Sequence, residues 1–542
     1  MVTEDKILFP HRALMVEGDL KECFYCGSCR HDLKVCPSKN LQLSSRVFTR
    51  FGHLSIEHIT NCFAGAFSNP EQHNEGVANL KASDVQAIYG QNEVLAAYHT
   101  FFDLTEIFQL RFLKRVWQTE AVTWDMLYSA GEQREEGGPL WLTLDCIRVG
   151  QTDKAEQFLK TAQDKDPDDY RLYMATALLE LEKGNRFEAL YQFERAKECS
   201  RNKLQQIHAL FLIARLHEVF KAYEKAEEKV HDIIYLDRDC LDAQYYKIVL
   251  QAKRVFHDED IIKLQKIILQ QPEFFLYALI DPRLLPTQGL VEQLLNEMLE
   301  GIRKETKDVV QAAESKVNSM IEWLDEENEI YQENKTLLDK IKQLAAQDSY
   351  LGYIEAKDIA TTLINRYHLI QKTIRINLLK QIASQDNHLR KYEIYWKKYP
   401  LKGFFRTVGP LLNETRQKLN YAASLAKSDQ ANAFKQASQM AEELASELKE
   451  MVTTVGRMAS LENGINVMRS FGKHLLILEV IAFVIAALVI PIGSSVITHL
   501  YPDLTWDIFD NIGQYHKNAL GVGSVAGFLM AIVLTLRDTP RS

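Results

Sequence analysis

The last seventy or so residues constrain this chain more than any other stretch. Residues 475–497 read LLILEVIAFVIAALVIPIGSSVI and residues 519–536 read ALGVGSVAGFLMAIVLTL. A helix of about 20 residues crosses a hydrocarbon core of about 30 Å, so each run is long enough to span a membrane. The alternative is a pair of buried core helices, but apolar runs of this length are uncommon in soluble domains. Arg469 and Lys473 precede the first run, and Arg537 and Arg541 follow the second. The connection carries Asp503, Asp507 and Asp510 against Lys517. Basic flanks stay on the cytoplasmic side, which predicts two spans, both termini cytoplasmic and a short external loop, in a bacterial inner membrane. Tyr501, Trp506, Phe509 and Tyr515 suit the headgroup level. Glu479 lies inside the first span, where a carboxylate is a functional candidate. Its place near the cytoplasmic end predicts instead that it snorkels beside Lys473. Gly523 and Gly527, with Gly521 beside them, form a small-residue face expected to pack on the first span, a second copy being the alternative.

The rest of the chain should share one compartment. The opening MVTEDKILFPHR mixes charges and has no apolar core, which predicts no secretory leader. The bulk of the 542 residues is then cytoplasmic, where structural disulfides are rare. A net charge of −9 argues against wholesale nucleic-acid binding. The eight cysteines need another use, and four of them fall between residues 23 and 36.

Cys23, Cys26, Cys29 and Cys36 form C-x2-C-x2-C-x6-C-P, closed by Pro37. Thiolates this close in a reducing compartment point to a metal site. The run resembles the bacterial ferredoxin signature, with Gly27 after the second cysteine and Pro37 after the fourth, which implies an iron–sulfur cluster. It differs by three extra residues before Cys36 and by the lack of a second such run. Cys23-Phe-Tyr-Cys26-Gly27 also resembles a zinc knuckle, which implies a closed structural site. Both metals stay open at this point, with the iron–sulfur cluster slightly favoured, and His31, His53, His58 and Cys62 are further candidate ligands. Arg30, Lys34, Lys39, Arg46 and Arg50 surround the cluster and offset its negative charge. With only Phe48 and Phe51 interleaved, they make a poor nucleic-acid surface.

The expected architecture is mainly α-helical, in five segments. A four-cysteine metal-binding module occupies residues 1–62, and residues 63–136 are a polar linker and a helical lead-in. Over residues 137–275 a period of 34 appears. Leu142, Gly150, Ala155, Leu159, Ala162 and Pro167 are followed at that interval by Thr176, Gly184, Ala189, Phe193, Ala196 and Arg201. The interval resembles the tetratricopeptide repeat, which implies a solenoid of helix pairs with a concave face that binds a protein segment. Thr143 and Ala177 stand where that family has Gly, and Pro139 and Tyr173 where it has Trp. Third and fourth units fit from about Lys203, with Ala226 at the crossing, and from Cys240. Cys146, Cys199 and Cys240 read as buried apolar residues.

Residues 287–470 form a long-helix region. Val310, Val317, Leu324, Tyr331, Leu338 and Ala345 recur every seven residues, with Glu327 and Asn334 breaking the seam, which predicts a coiled coil. Phe434, Ala437, Ala441, Leu444, Leu448, Met451, Val455 and Met458 form a cleaner one. An antiparallel bundle and a homo-oligomer both fit. The hairpin occupies residues 471–542.

Phosphate-binding, metalloprotease and nucleophile-elbow motifs are lacking, which argues against an enzyme and leaves no catalytic residue to name. The expected role is a membrane-anchored, cytoplasm-facing adaptor that holds a protein partner through the repeats and the metal module. An iron–sulfur electron carrier or redox sensor is one alternative. A membrane-permeabilising or channel-like effector controlled by the soluble half is another.

Overall fold

The computed structural model describes residues 7–41, 51–78, 92–128, 137–324, 326–428, 430–500 and 512–538. Arg46, Phe48, Arg50, Arg541 and the loop from Tyr501 to Asp510 lie outside them, as does the side chain of Tyr515. Among the described residues the chain is helical and has no strand. It forms two compact units, Met1–Asn318 with Glu327–Arg366, and Ser319–Glu326 with Tyr367–Ser542.

The first unit opens with α1 (Arg12–Val16), then two 3-10 turns, then α2 (Ile56–Ser68), α3 (Glu71–Ala78), α4 (Glu93–Asp103) and α5 (Leu110–Gln118). Ser55 caps α2 by accepting the His58 amide. Ile59, Cys62, Phe63, Ala66 and Phe67 make its buried stripe. That stripe makes residues 63–68 part of a packed helix where composition suggested a linker, and Phe67 meets Phe101 of α4 at 5.2 Å. Pro70, which has no amide to donate, separates α2 from α3.

Eight helices follow as consecutive pairs: α6 (Pro139–Arg148) with α7 (Thr152–Gln163), α8 (Tyr170–Lys183) with α9 (Arg186–Glu198), α10 (Lys203–Val219) with α11 (Tyr223–Leu236), and α12 (Leu241–Ala252) with α13 (Asp258–Gln270). Ala155, Ala189 and Ala226 are fully buried, as close helix packing requires. Gly150 and Gly184 occupy the turns inside the first two pairs, at φ +75° and +85°. Cys146 and Cys240 are buried and Cys199 is half-buried. Helix α10 is buried on nearly every side, including Arg215 and Glu218, so polar partners must come to it from other elements.

After α14 (Phe274–Ile280), the unit closes with α15 (Gln288–Met320), α16 (Glu329–Ala346) and the first part of α17 (Tyr350–Lys398). Ion pairs Lys342–Glu314 at 2.6 Å, Lys340–Glu355 at 3.0 Å and Lys357–Glu305 at 2.6 Å link these three helices. The seven-residue interval from Val310 to Ala345 therefore does not run along one coiled-coil helix. Helix α15 ends at Met320, and α16 restarts at Glu329 because the Asn328 side chain caps it on the Ile330 amide at 3.0 Å. Glu327 falls in the turn. Ala313, Val317, Met320, Tyr331, Leu338 and Ile341 keep the spacing across the break and are buried by the chain itself.

The second unit contains the rest of α17, α18 (Val408–Ala426), α19 (Ala431–Val484), a π-helical turn (Ile485–Val489), α20 (Ile490–Leu500) and α21 (Ile512–Asp538). Arg416 of α18 pairs with Asp386 and with Glu393 of α17, and Lys418 pairs with Glu447 of α19. Gln385 donates to the Ala441 carbonyl at 2.7 Å, and Tyr399 to that of Met458 at 3.2 Å. These contacts run α17 and α19 in one direction and α18 in the other. The seam from Phe434 to Met458 is filled by the chain's own helices, with Val455 half-buried.

Helix α19 has 54 residues and runs without a break from that seam into the first apolar run, a length of about 80 Å. Two helices are long and apolar enough to cross a membrane. Only 6 % of the most apolar window of the first and 17 % of that of the second are buried, so neither is a core helix. Added Cβ atoms at Gly523 and Gly527 would meet Ala482 at 3.1 Å and Leu478 at 3.4 Å, so the small-residue face packs inside the hairpin. Glu479 accepts a hydrogen bond from Ser524 at 2.7 Å, across the hairpin, where snorkelling would have turned it back towards Lys473.

Candidate metal centre

The residues around the cysteines turn sharply and then turn again. The Cys23 amide donates to the Ser28 carbonyl and the Gly27 amide to the Cys23 carbonyl, which closes a tight loop with Gly27 at φ +78°. The Cys29 amide donates to Val16, and a Cβ on Gly18 would lie 2.2 Å from the Cys29 oxygen, so only glycine allows that approach. Asp32 then caps a 3-10 turn, Leu33–Val35, through the Lys34 amide at 3.0 Å. This turn swings Cys36 back towards the first loop, and Pro37 starts the second turn, Pro37–Asn40.

The result brings Cys23, Cys26, His31 and Cys36 together, with their ligand atoms all within 4.8 Å of one another. The three thiols are buried and the imidazole is half-buried. Cys26 Sγ lies 3.3 Å from His31 Nε2, and Cys36 Sγ lies 3.0 Å from Ser38 Oγ. Of the four cysteines in the C-x2-C-x2-C-x6-C run, Cys29 is not in this group. It is half-buried and, with Arg30 and His31, lines an open groove floored by Met15, Phe67 and Phe101.

The protonation pattern fits a cation site. Burial pushes the Cys23 thiol up, but hydrogen bonds from Cys26, Cys36 and His31 outweigh it and hold Cys23 well below the usual cysteine range. Burial, with the neighbouring Cys23 charge, pushes Cys26 and Cys36 well above it. A divalent cation would take all three buried thiols as thiolates. No protein family, no curated protein and no solved structure matches this chain.

The module is fastened to α8, α10 and the end of α12 by buried polar bonds. Arg215, fully buried, donates to the carbonyls of Phe24 at 2.9 Å and Cys23 at 2.8 Å, the two residues that open the metal loop. The same guanidinium pairs with Glu22 at 2.9 Å and Glu218 at 2.5 Å. Glu218 also takes Lys253 at 2.7 Å and the Tyr246 hydroxyl at 2.7 Å. Burial works against the Glu218 carboxylate, yet Arg215, Lys253 and Arg283 hold it far below its ordinary range. On the other side Lys39 pairs with Glu182 at 2.7 Å with both side chains sealed from water, and Tyr25 donates to the same carboxylate. Phe24 stacks on Phe193 of α9. Arg12 anchors the leading segment on Glu292 at 2.5 Å and on the Ala278 carbonyl at 3.0 Å.

Sequence reasoning offers His31 only as a spare ligand, because its spacing in C-x2-C-x4-H-x4-C is overshadowed by the more conspicuous Cys29. Arg215, Glu218, Lys253 and Glu182 lie far along the chain, and their one local signal is charge inside otherwise apolar helices.

Proposed function

We propose that this protein is a membrane-anchored helical adaptor whose zinc-bound N-terminal module and tetratricopeptide-like helix pairs act as one partner-binding body on the cytoplasmic face. The observation that carries the reading is the continuity of α19, one helix from a packed bundle seam into an apolar run that the protein leaves uncovered. A helix built this way transmits position from bilayer to soluble domain with no linker between. Pairing of Gly523 and Gly527 within the hairpin favours an anchor over a self-associating pore.

Zinc is favoured over an iron–sulfur cluster by the donor set and its size. Three cysteines and one histidine with ligand atoms within 4.8 Å enclose a single tetrahedral ion, whose bonds run about 2.0–2.3 Å. A multi-iron cluster would have to sit between ligands spaced more widely. The residues that would line the inner face of a repeat array, Glu182, Arg215 and Glu218, hold the chain's own module. In this reading the module is part of the binding surface, and the groove beside His31 faces the partner.

The test is fractionation with topology reporters. The full chain should resist alkaline extraction from membranes, and a chain ending before residue 470 should be soluble and keep its helix content. A reporter after Ser542 should report the cytoplasm, and one inserted near Asp507 the outside. A full chain released by alkali, or reporters in the reverse pattern, would overturn the anchor.

A further inference from the structure

A second cluster of metal-ligating side chains lies outside the quartet. His58 and Cys62 stand four residues apart on α2, one turn of helix, so both project from one face. Glu93 is the first residue of α4, and Asn92 caps that helix by accepting the Leu95 amide at 3.0 Å. The two helices are locked together beside the cluster. A Cβ on Gly65 would lie 3.1 Å from Val94, and Phe63, Phe67 and Phe101 pack in series just below.

Three different donors converge there. His58 Nε2 lies 2.6 Å from Glu93 Oε2, and Cys62 Sγ lies 3.9 Å from the same oxygen, with all three ligand atoms within 4.8 Å of one another. Cys62 is buried, while the His58 and Glu93 side chains are 46 % and 40 % exposed. A His–Glu ion pair alone would explain two of the three. The buried Cys62 thiol adds only a long hydrogen bond, donated to Glu93 at 3.9 Å. That contact raises the energy of the thiolate, and burial with Glu93 pushes the Cys62 thiol up to about 11. A divalent cation reverses the sign of the contact.

We propose that His58, Cys62 and Glu93 form a second, solvent-open site for a zinc-class divalent ion. Imidazole, thiolate and carboxylate suit a borderline-soft ion such as zinc and not magnesium or calcium, which take oxygen donors. An ion bonded at about 2.0–2.3 Å would hold imidazole and carboxylate about 3.3 Å apart, wider than in the ion pair. The two exposed side chains can open by that amount, while buried Cys62 stays fixed. Binding releases the Cys62 thiol proton to solvent, and with it the proton that His58 Nε2 carries in its ion pair with Glu93. With three protein ligands and an exposed side, the fourth position takes water or an anionic group. The site differs in kind from the closed quartet: it exchanges with solvent, and it ties α2 to α4.

Zinc titration of the full chain in detergent tests the site, with bound metal counted after gel filtration. The wild type should bind two equivalents, and Cys62→Ser and Glu93→Gln one each with unchanged circular dichroism. Cys26→Ser should also bind one, from the other site. Cobalt in Cys26→Ser should give a single-thiolate charge-transfer band that Cys62→Ser lacks. Two equivalents retained by both Cys62→Ser and Glu93→Gln would overturn the second site. So would a wild type that binds one equivalent and a Cys26→Ser variant that binds none, a result that leaves the quartet standing. A Cys26→Ser variant that keeps every equivalent while Cys62→Ser loses one would support the second site and count against the quartet.

Discussion

The two ends of the chain solve opposite problems of burial. The cysteine module at the N-terminus is too short to enclose a core, and it is held by charge: Arg215, Glu218, Lys39 and Glu182 are all buried and all paired. The hairpin at the C-terminus turns most of its apolar surface outward and keeps a polar contact, Glu479 with Ser524, between its helices. Each choice is sound for its surroundings. Buried charges that are paired and hydrogen-bonded fix one arrangement among many, because breaking any bond strands an ion in a medium of low dielectric. In the proposed membrane anchor, lipid would offer no gain for burying carbon, and the close packing of small residues in the hairpin fits that setting.

Breaking the polar side of this comparison should have the largest effect. Arg215→Met takes the closest cation from buried Glu218, leaving it Lys253 and Tyr246, and removes both donors to the cysteine loop, and should cost the first unit about 3–5 kcal/mol. Denaturant unfolding of the full chain in detergent reads it as an earlier first transition, with the bundle transition unmoved. Equal shifts of both transitions would show that the network does not act locally.

Acid should probe the same interior next. His208 is buried against the Ile107 carbonyl, and burial pulls it down to about 4. Its ordinary value is 6.5, so the unfolded chain takes up a proton first as pH falls. The stabilisation is complete above about pH 6.5 and is lost towards pH 4, by on the order of 3 kcal/mol. His208→Gln should flatten that part of the stability profile. A parallel profile, merely displaced, would contradict the assignment.

The smallest effect belongs to the hairpin. Ser524→Ala removes its hydrogen bond to Glu479 and should cost about 0.6 kcal/mol, the usual worth of such a bond between membrane helices. Detergent melting of the hairpin should shift slightly, while Arg215→Met shifts the first unit strongly. A larger effect of Ser524→Ala would mean that the hairpin also depends on buried polarity.

Local patterns made much of the molecule legible. Apolar length marks the two helices long enough to cross a membrane, and the spacing of Phe434 through Met458 marks a seam because helix period and sequence period coincide over one unbroken helix. The same logic misleads at Val310–Ala345, where the spacing survives a turn that only the cap at Asn328 betrays. In the cysteine module, the nearest cysteines are visible, but whether Cys29 or His31 converges with the other three is not. It depends on the 3-10 turn at residues 33–35 and on how Gly18 lets the chain approach Cys29. The contact of Cys23 and Phe24 with Arg215 joins residues some 190 positions apart, and no local pattern announces it.

The central claim is that Cys23, Cys26, His31 and Cys36 hold one ion, and that Cys29 does not. Zinc retention by the full chain against a chelator, compared in the wild type, Cys29→Ser and His31→Ala, tests this most directly. The account predicts that Cys29→Ser keeps its metal at chelator concentrations the wild type withstands, and that His31→Ala gives up one equivalent. Loss from Cys29→Ser with full retention by His31→Ala would contradict it and return the site to the four cysteines.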